Sequence, residues 1–121
     1  MAFPPSPQRT VLATLLVSAL LAGCARSEFT PASAAPGDLA PYRGTVRVLP
    51  ALPPGGFERL GVVIVRGQQN ISDERLTRMA RDAAQARGAN AIVVQAPPKV
   101  ESYRDGGFQK KLAAWALRLP E

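Results

Sequence analysis

The stretch that decides the fold is ISDERLTRMARDAAQARGANAIVVQ, running from Ile71 to Gln95. It reads as a capped helix followed almost at once by a strand. Ser72 suits an N-cap, because its hydroxyl can accept from an amide of the first turn that has no partner within the helix. Asp73 and Glu74 place negative charge at the positive end of the helix dipole. Ile71, just before the cap, and Leu76, at the fourth helical position, have the spacing of a hydrophobic staple. Leu76, Met79, Ala80 and Ala83 recur at i, i+3, i+4 and i+7, which predicts one buried stripe on a helix over 72–87. Gly88 suits the residue after the C-cap, where a left-handed backbone ends the helix. Ala89 and Ala91 are small enough to pack where helix and strand meet. Asn90 is suited to bonding nearby backbone as the chain reverses. Ala91-Ile92-Val93-Val94-Gln95 is then a short apolar strand.

Upstream, Phe57 to Gly67 contains Leu60-Gly61-Val62-Val63-Ile64-Val65, a β-branched run expected at the centre of a sheet. Gly61 weakens a strand interior and signals a bulge or a close backbone approach. Thr45 to Leu49 alternates polar and apolar residues as a short first strand, and Pro50, Pro53, Pro54, Gly55 and Gly56 end it. Downstream, Pro97 to Gln109 is expected to be a loop. The last segment, 110–119, reads two ways. Trp115, Leu117 and Leu119 alternate as in a strand, while Leu112, Trp115, Ala116 and Leu119 fit a helix. The strand is preferred, because the sheet otherwise has too few strands to stand alone. The expected fold class is α+β: a small single domain over residues 42–121, a β-β-α-β-β sheet with one helix packed on one face. Residues 24–41, rich in Pro, Ala and Ser, read as a flexible linker.

The N-terminus carries the other decisive stretch. Arg9 is the only charged residue before Cys24, and an apolar block from Val11 to Ala22 follows it. That block is shorter than the ~20 residues a transmembrane helix needs. It fits the h-region of a secretory signal, about 7–15 residues long. The chain has no histidine and one cysteine, so a disulfide within the chain, a cysteine-histidine zinc site and a thiol-histidine nucleophile are all excluded. Leu21-Ala22-Gly23-Cys24 resembles the lipobox of bacterial lipoproteins at each of its four positions. The resemblance implies a diacylglycerol on the Cys24 thiol, cleavage between Gly23 and Cys24, and an acyl chain on the new amine. Two or three chains anchor stably, where one binds reversibly. Residues 1–23 are then a signal peptide. Ala25, where inner-membrane lipoproteins commonly carry Asp, resembles the outer-membrane majority, with the domain facing the periplasm and an inner-membrane address left open.

Removing residues 1–23 takes away Arg9 and lowers the formal charge from +6 to +5. A basic surface on an exported protein suits anionic lipid, lipopolysaccharide phosphates or acidic partners, and export argues against nucleic acid. Arg75, Arg78 and Arg81 are the candidate anion-binding residues, weighed against an ordinary solvated helix face.

The order Phe57–Val65, helix, Gly88-Ala89-Asn90-Ala91-Ile92-Val93 and last strand resembles small envelope domains of the RcsF type and YbjQ-like domains. The likeness covers about Phe57 to Leu119 and implies the same β-β-α-β-β layout. RcsF-type domains hold disulfides that have no counterpart here. Metal binding, suspected for YbjQ-like domains, would fall to carboxylates alone. Glu58, Asp73, Glu74, Asp82, Glu101 and Asp105 show no metal-loop spacing. No catalytic residue, metal site or cofactor other than the acyl groups is expected. The sequence carries no G-x-S-x-G, P-loop or dinucleotide motif. The expected role is a membrane-anchored binding, sensing or assembly module with an envelope protein partner. The alternatives are a self-associating structural protein or an arginine-mediated binder of anionic envelope ligands.

Overall fold

A computed structural model describes residues 25–33, 39–102 and 106–120. The expected signal peptide, Cys24 and the expected cleavage site lie outside these residues. Among the described residues six strands and one helix follow in the order β1 (Ala25–Pro31), β2 (Arg47–Leu49), β3 (Glu58–Gln68), α1 (Asp73–Ala86), β4 (Ala91–Val94), β5 (Lys99–Ser102) and β6 (Phe108–Arg118). The strands form one mixed sheet in the order β1-β3-β6-β4-β2. β5 pairs with β6 beside its N-terminal half, while β4 takes its C-terminal half. Only the β2–β4 pair is parallel; the other pairs are antiparallel. β3 and β4 both run antiparallel to β6 and are therefore parallel to each other, one strand apart.

The α+β class and the single helix layer agree with the sequence reading. Two strands were not foreseen. Ala25–Pro31, assigned to the flexible linker, is an edge strand paired along its whole length with β3. Within the expected 97–109 loop, Lys99–Ser102 makes a hairpin with the start of β6. Both segments are held by ladder hydrogen bonds to strands that are themselves well packed. Neither buries much of its own surface, so neither carries a strong periodic signal. The last segment is an eleven-residue strand. Pairing on both edges decides against the helix, because β6 supplies the ladder partners of β3, β4 and β5.

The helix follows its sequence signals closely. The Ser72 hydroxyl accepts from the Arg75 amide at 3.2 Å. Leu76, Ala80 and Ala84 are buried against Val63, Val65, Leu112 and Ala114 of the sheet. Met79 and Ala83 lie at the margin of that core, half-buried. Gly88 has φ +87°, and a Cβ there would lie 2.7 Å from Leu39 Cβ. The left-handed turn therefore also makes room for the chain entering β2. At Gly61 both readings hold. The β3–β6 register shifts between Arg59 and Gly61, and a side chain at Gly61 would collide with the Thr30 carbonyl and the Phe29 ring.

Asn90 differs from its expected role. It is buried at 4 %, and its side chain bonds across the sheet rather than to neighbouring residues. Its Nδ2 donates to the Leu119 carbonyl at 2.9 Å, and its Oδ1 accepts from the Leu119 amide at 2.7 Å. The primary amide thus behaves as one more peptide unit and extends the β4–β6 ladder beyond the strand end.

The second face of the sheet holds a smaller cluster of Ala91, Val93 and Leu117. Leu49, Leu52, Phe57, Trp115 and Leu119 pack on it. The connection between β2 and β3 supplies Leu52 and Phe57, covering one end of this face. The other end, over β1, β3, β5 and the first half of β6, is left open.

Candidate anion-binding face

Residues directly opposite each other on neighbouring strands share a face of the sheet. Val63 and Val65 of β3 and Leu112 and Ala114 of β6 face the helix. Strand alternation therefore places Val62, Ile64 and Arg66, with Lys111, Ala113 and Trp115, on the open face. Continuing the register outward gives one unbroken row across four adjacent strands: Arg26 of β1, Arg66 of β3, Lys111 of β6 and Lys99 of β5. At a strand spacing of ~4.8 Å the row spans about 14 Å.

Four cations in register oppose folding, since like charges directly opposite each other destabilise a strand pair. The two inner members are partly neutralised from the flanking strands. Arg66 pairs with Glu28 at 3.3 Å, and Lys111 pairs with Glu101 at 3.8 Å. The outer members, Arg26 and Lys99, are exposed and have no ion-pair partner among the described residues. Next to the row lies an apolar strip of Val62, Ile64, Ala113 and Trp115, each half-buried. Arg59 stacks over the Trp115 ring, 4.9 Å from its centroid. The face thus offers a line of positive charge beside a shallow apolar floor. Chemically, that combination suits anions that are extended and partly apolar rather than a compact ion in a pocket.

The helix arginines do not make such a site. Steps of three residues turn Arg75, Arg78 and Arg81 progressively around the helix, so the first and last diverge by ~120°. Arg75 and Arg78 are exposed and Arg81 is half-buried. Only Arg75 lies at the same end of the domain as the cation row, lining a surface recess with Ala25, Gln68, Asn70, Ile71 and Ser72. On the helix-facing side, Lys110 is already engaged, pairing with Asp73 and donating to the Ile71 carbonyl at 3.0 Å. Among the described residues no three His, Cys, Asp or Glu side chains cluster as metal ligands. No described helix is long and apolar enough to cross a membrane.

The row was hidden from sequence reading because its members are far apart in the chain and meet only through register. Arg26 in particular sat in a segment read as linker. The available signal was a basic residue at a polar position of each strand, and it gains meaning only once the pairing is known. Comparison with family models, curated proteins and solved structures gives no match for this chain.

Proposed function

We propose that this chain is a bacterial envelope lipoprotein, acylated at Cys24, whose α+β domain binds a phosphate-bearing anionic component of the envelope through its open sheet face. The observation that carries the reading is the cation row of Arg26, Arg66, Lys111 and Lys99 on the face the helix leaves bare. A protein keeps an arrangement that opposes its own folding where function requires it. The role is binding rather than catalysis, with an outer-membrane address and a periplasmic domain.

Two measurements test it. Labelled palmitate enters the wild-type chain and is lost in Cys24→Ser; incorporation into the variant refutes the anchor. The mature Cys24→Ser chain binds lipopolysaccharide micelles at low salt, and the paired substitution of Arg26→Glu with Lys99→Glu weakens that binding at least tenfold. Equal binding by the variant, or binding unchanged between low and high salt, refutes the electrostatic site.

A second reading is favoured by the sheet order. Among the described residues β1 ends the sheet, and its seven residues offer an outer edge to a second copy. Light scattering on the same mature chain separates the two, because a strict monomer removes self-association.

A further inference from the structure

The strand β1 begins at Ala25, one peptide bond after the proposed acylated residue. Consecutive Cα atoms are 3.8 Å apart, so the lipid attachment is tied directly to the corner of the sheet. No spacer lies between the anchor and the ordered domain. Ala25 is paired with Gly67 and Arg26 with Arg66, so the cation row starts at that corner and runs across the sheet. The same face carries an apolar strip beside the row, formed by Val62, Ile64, Ala113 and the Trp115 ring. An aromatic ring with cations beside it is the pattern of side chains that settle at a membrane interface.

We infer that the domain lies against the bilayer that anchors it, with the cation row on the phosphates of anionic lipid headgroups. This rests on the acylation of Cys24. The partner is therefore a lipid surface, and the bound phosphates belong to the anchoring leaflet rather than to a soluble ligand. Fixed orientation follows from two constraints acting together. The acyl chains hold one corner of the sheet down, and the row prevents rotation about that corner. The helix is left facing away from the membrane, toward water.

Acylation blocks the only native thiol, so a single introduced cysteine can report depth. Gln68→Cys lies on the open face beside the row, opposite Gln109, and Asp82→Cys lies on the exposed side of the helix. Each is spin-labelled in the full acylated protein, reconstituted in vesicles containing phosphatidylglycerol, and probed with a water-soluble nickel relaxant. The label at Gln68→Cys is expected to be several-fold less accessible than that at Asp82→Cys. Combining Gln68→Cys with Arg26→Gln and Lys99→Gln, or raising salt to 1 M, where the screening length is ~3 Å, should abolish the difference. A cooperative urea transition followed through Trp115 fluorescence shows that the charge variants fold. Equal accessibility of the two labels in acylated protein overturns the orientation. Protection that persists without Arg26 and Lys99 overturns the role of the row. Protection seen equally in detergent without vesicles overturns the lipid contact in favour of a second copy. Palmitate labelling of the same preparations tells the two failures apart: a chain without label overturns the acylation reading itself.

Discussion

Reversing one outer charge of the row should make the fold more stable while impairing its binding. Arg26→Glu is the clearest case. Arg26 lies directly opposite Arg66 on β3. A like-charged cross-strand pair costs roughly 0.2–1 kcal/mol and an opposite-charged pair gains a similar amount. The substitution replaces one with the other. Glu28 already sits 3.3 Å from Arg66, so the new carboxylate shares that guanidinium, and the expected gain is at the lower end, about 0.5–1 kcal/mol. For a domain of this size each kcal/mol raises Tm by about 4–8 °C, which gives roughly 2–8 °C here. Lys99→Glu, opposite Lys111 at the far end of the row, should act alike. The two sites are about 14 Å apart, beyond the range at which mutational effects couple strongly, so the gains should add. Urea unfolding followed through Trp115 measures the effect, with an unchanged denaturant slope showing that the unfolded state is not altered. Because Arg26 is exposed, the gain should shrink at 1 M salt. Destabilisation by more than about 0.5 kcal/mol, or a gain indifferent to salt, would refute the claim that the row strains the sheet.

Other substitutions test the frame that holds the face in place. Asn90→Ala removes two hydrogen bonds and leaves the Leu119 amide without its partner, so a loss of about 2–4 kcal/mol is expected in the same unfolding assay. Gly88→Ala forces a side chain into φ +87° and against Leu39; the backbone component alone costs about 1–2 kcal/mol, and thermal unfolding should show at least that loss. Gly61→Ala drives a methyl group into the Thr30 carbonyl and the Phe29 ring, so amide exchange along β1 should accelerate more than exchange in the helix.

What the sequence made legible follows from where each element gets its stability. The helix and strands β3, β4 and β6 bury apolar side chains in their own pattern, so Leu76, Ala80, Val63, Val65 and Ile92 announced their places. Gly88 did so through backbone conformation. β1 and β5 are stabilised mainly by the strands beside them. Arg26-Ser27-Glu28 and Lys99-Val100-Glu101-Ser102 are exposed throughout, and nothing local separates such segments from a loop. Asn90 looked like a turn residue because its partner, Leu119, lies at the far end of the domain sequence. The candidate site was the least legible part, since register makes it and no short segment contains it. The three helix arginines are close in sequence, whereas the four basic residues of the row are gathered from separate strands.

The position of β6 in the sheet bears on how this protein reaches its working place. β6 is the last of the described elements, and it is also the strand that joins the two halves of the sheet. Without residues 108–118, β3 keeps only β1 and β4 keeps only β2, and the helix core loses Leu112, Ala114 and Ala116. The sheet therefore cannot close until the C-terminal residues are available, and such long-range pairing is slow to form. A chain threaded through a membrane pore from its N-terminus would stay pliable for the whole passage and close only after its final strand had crossed.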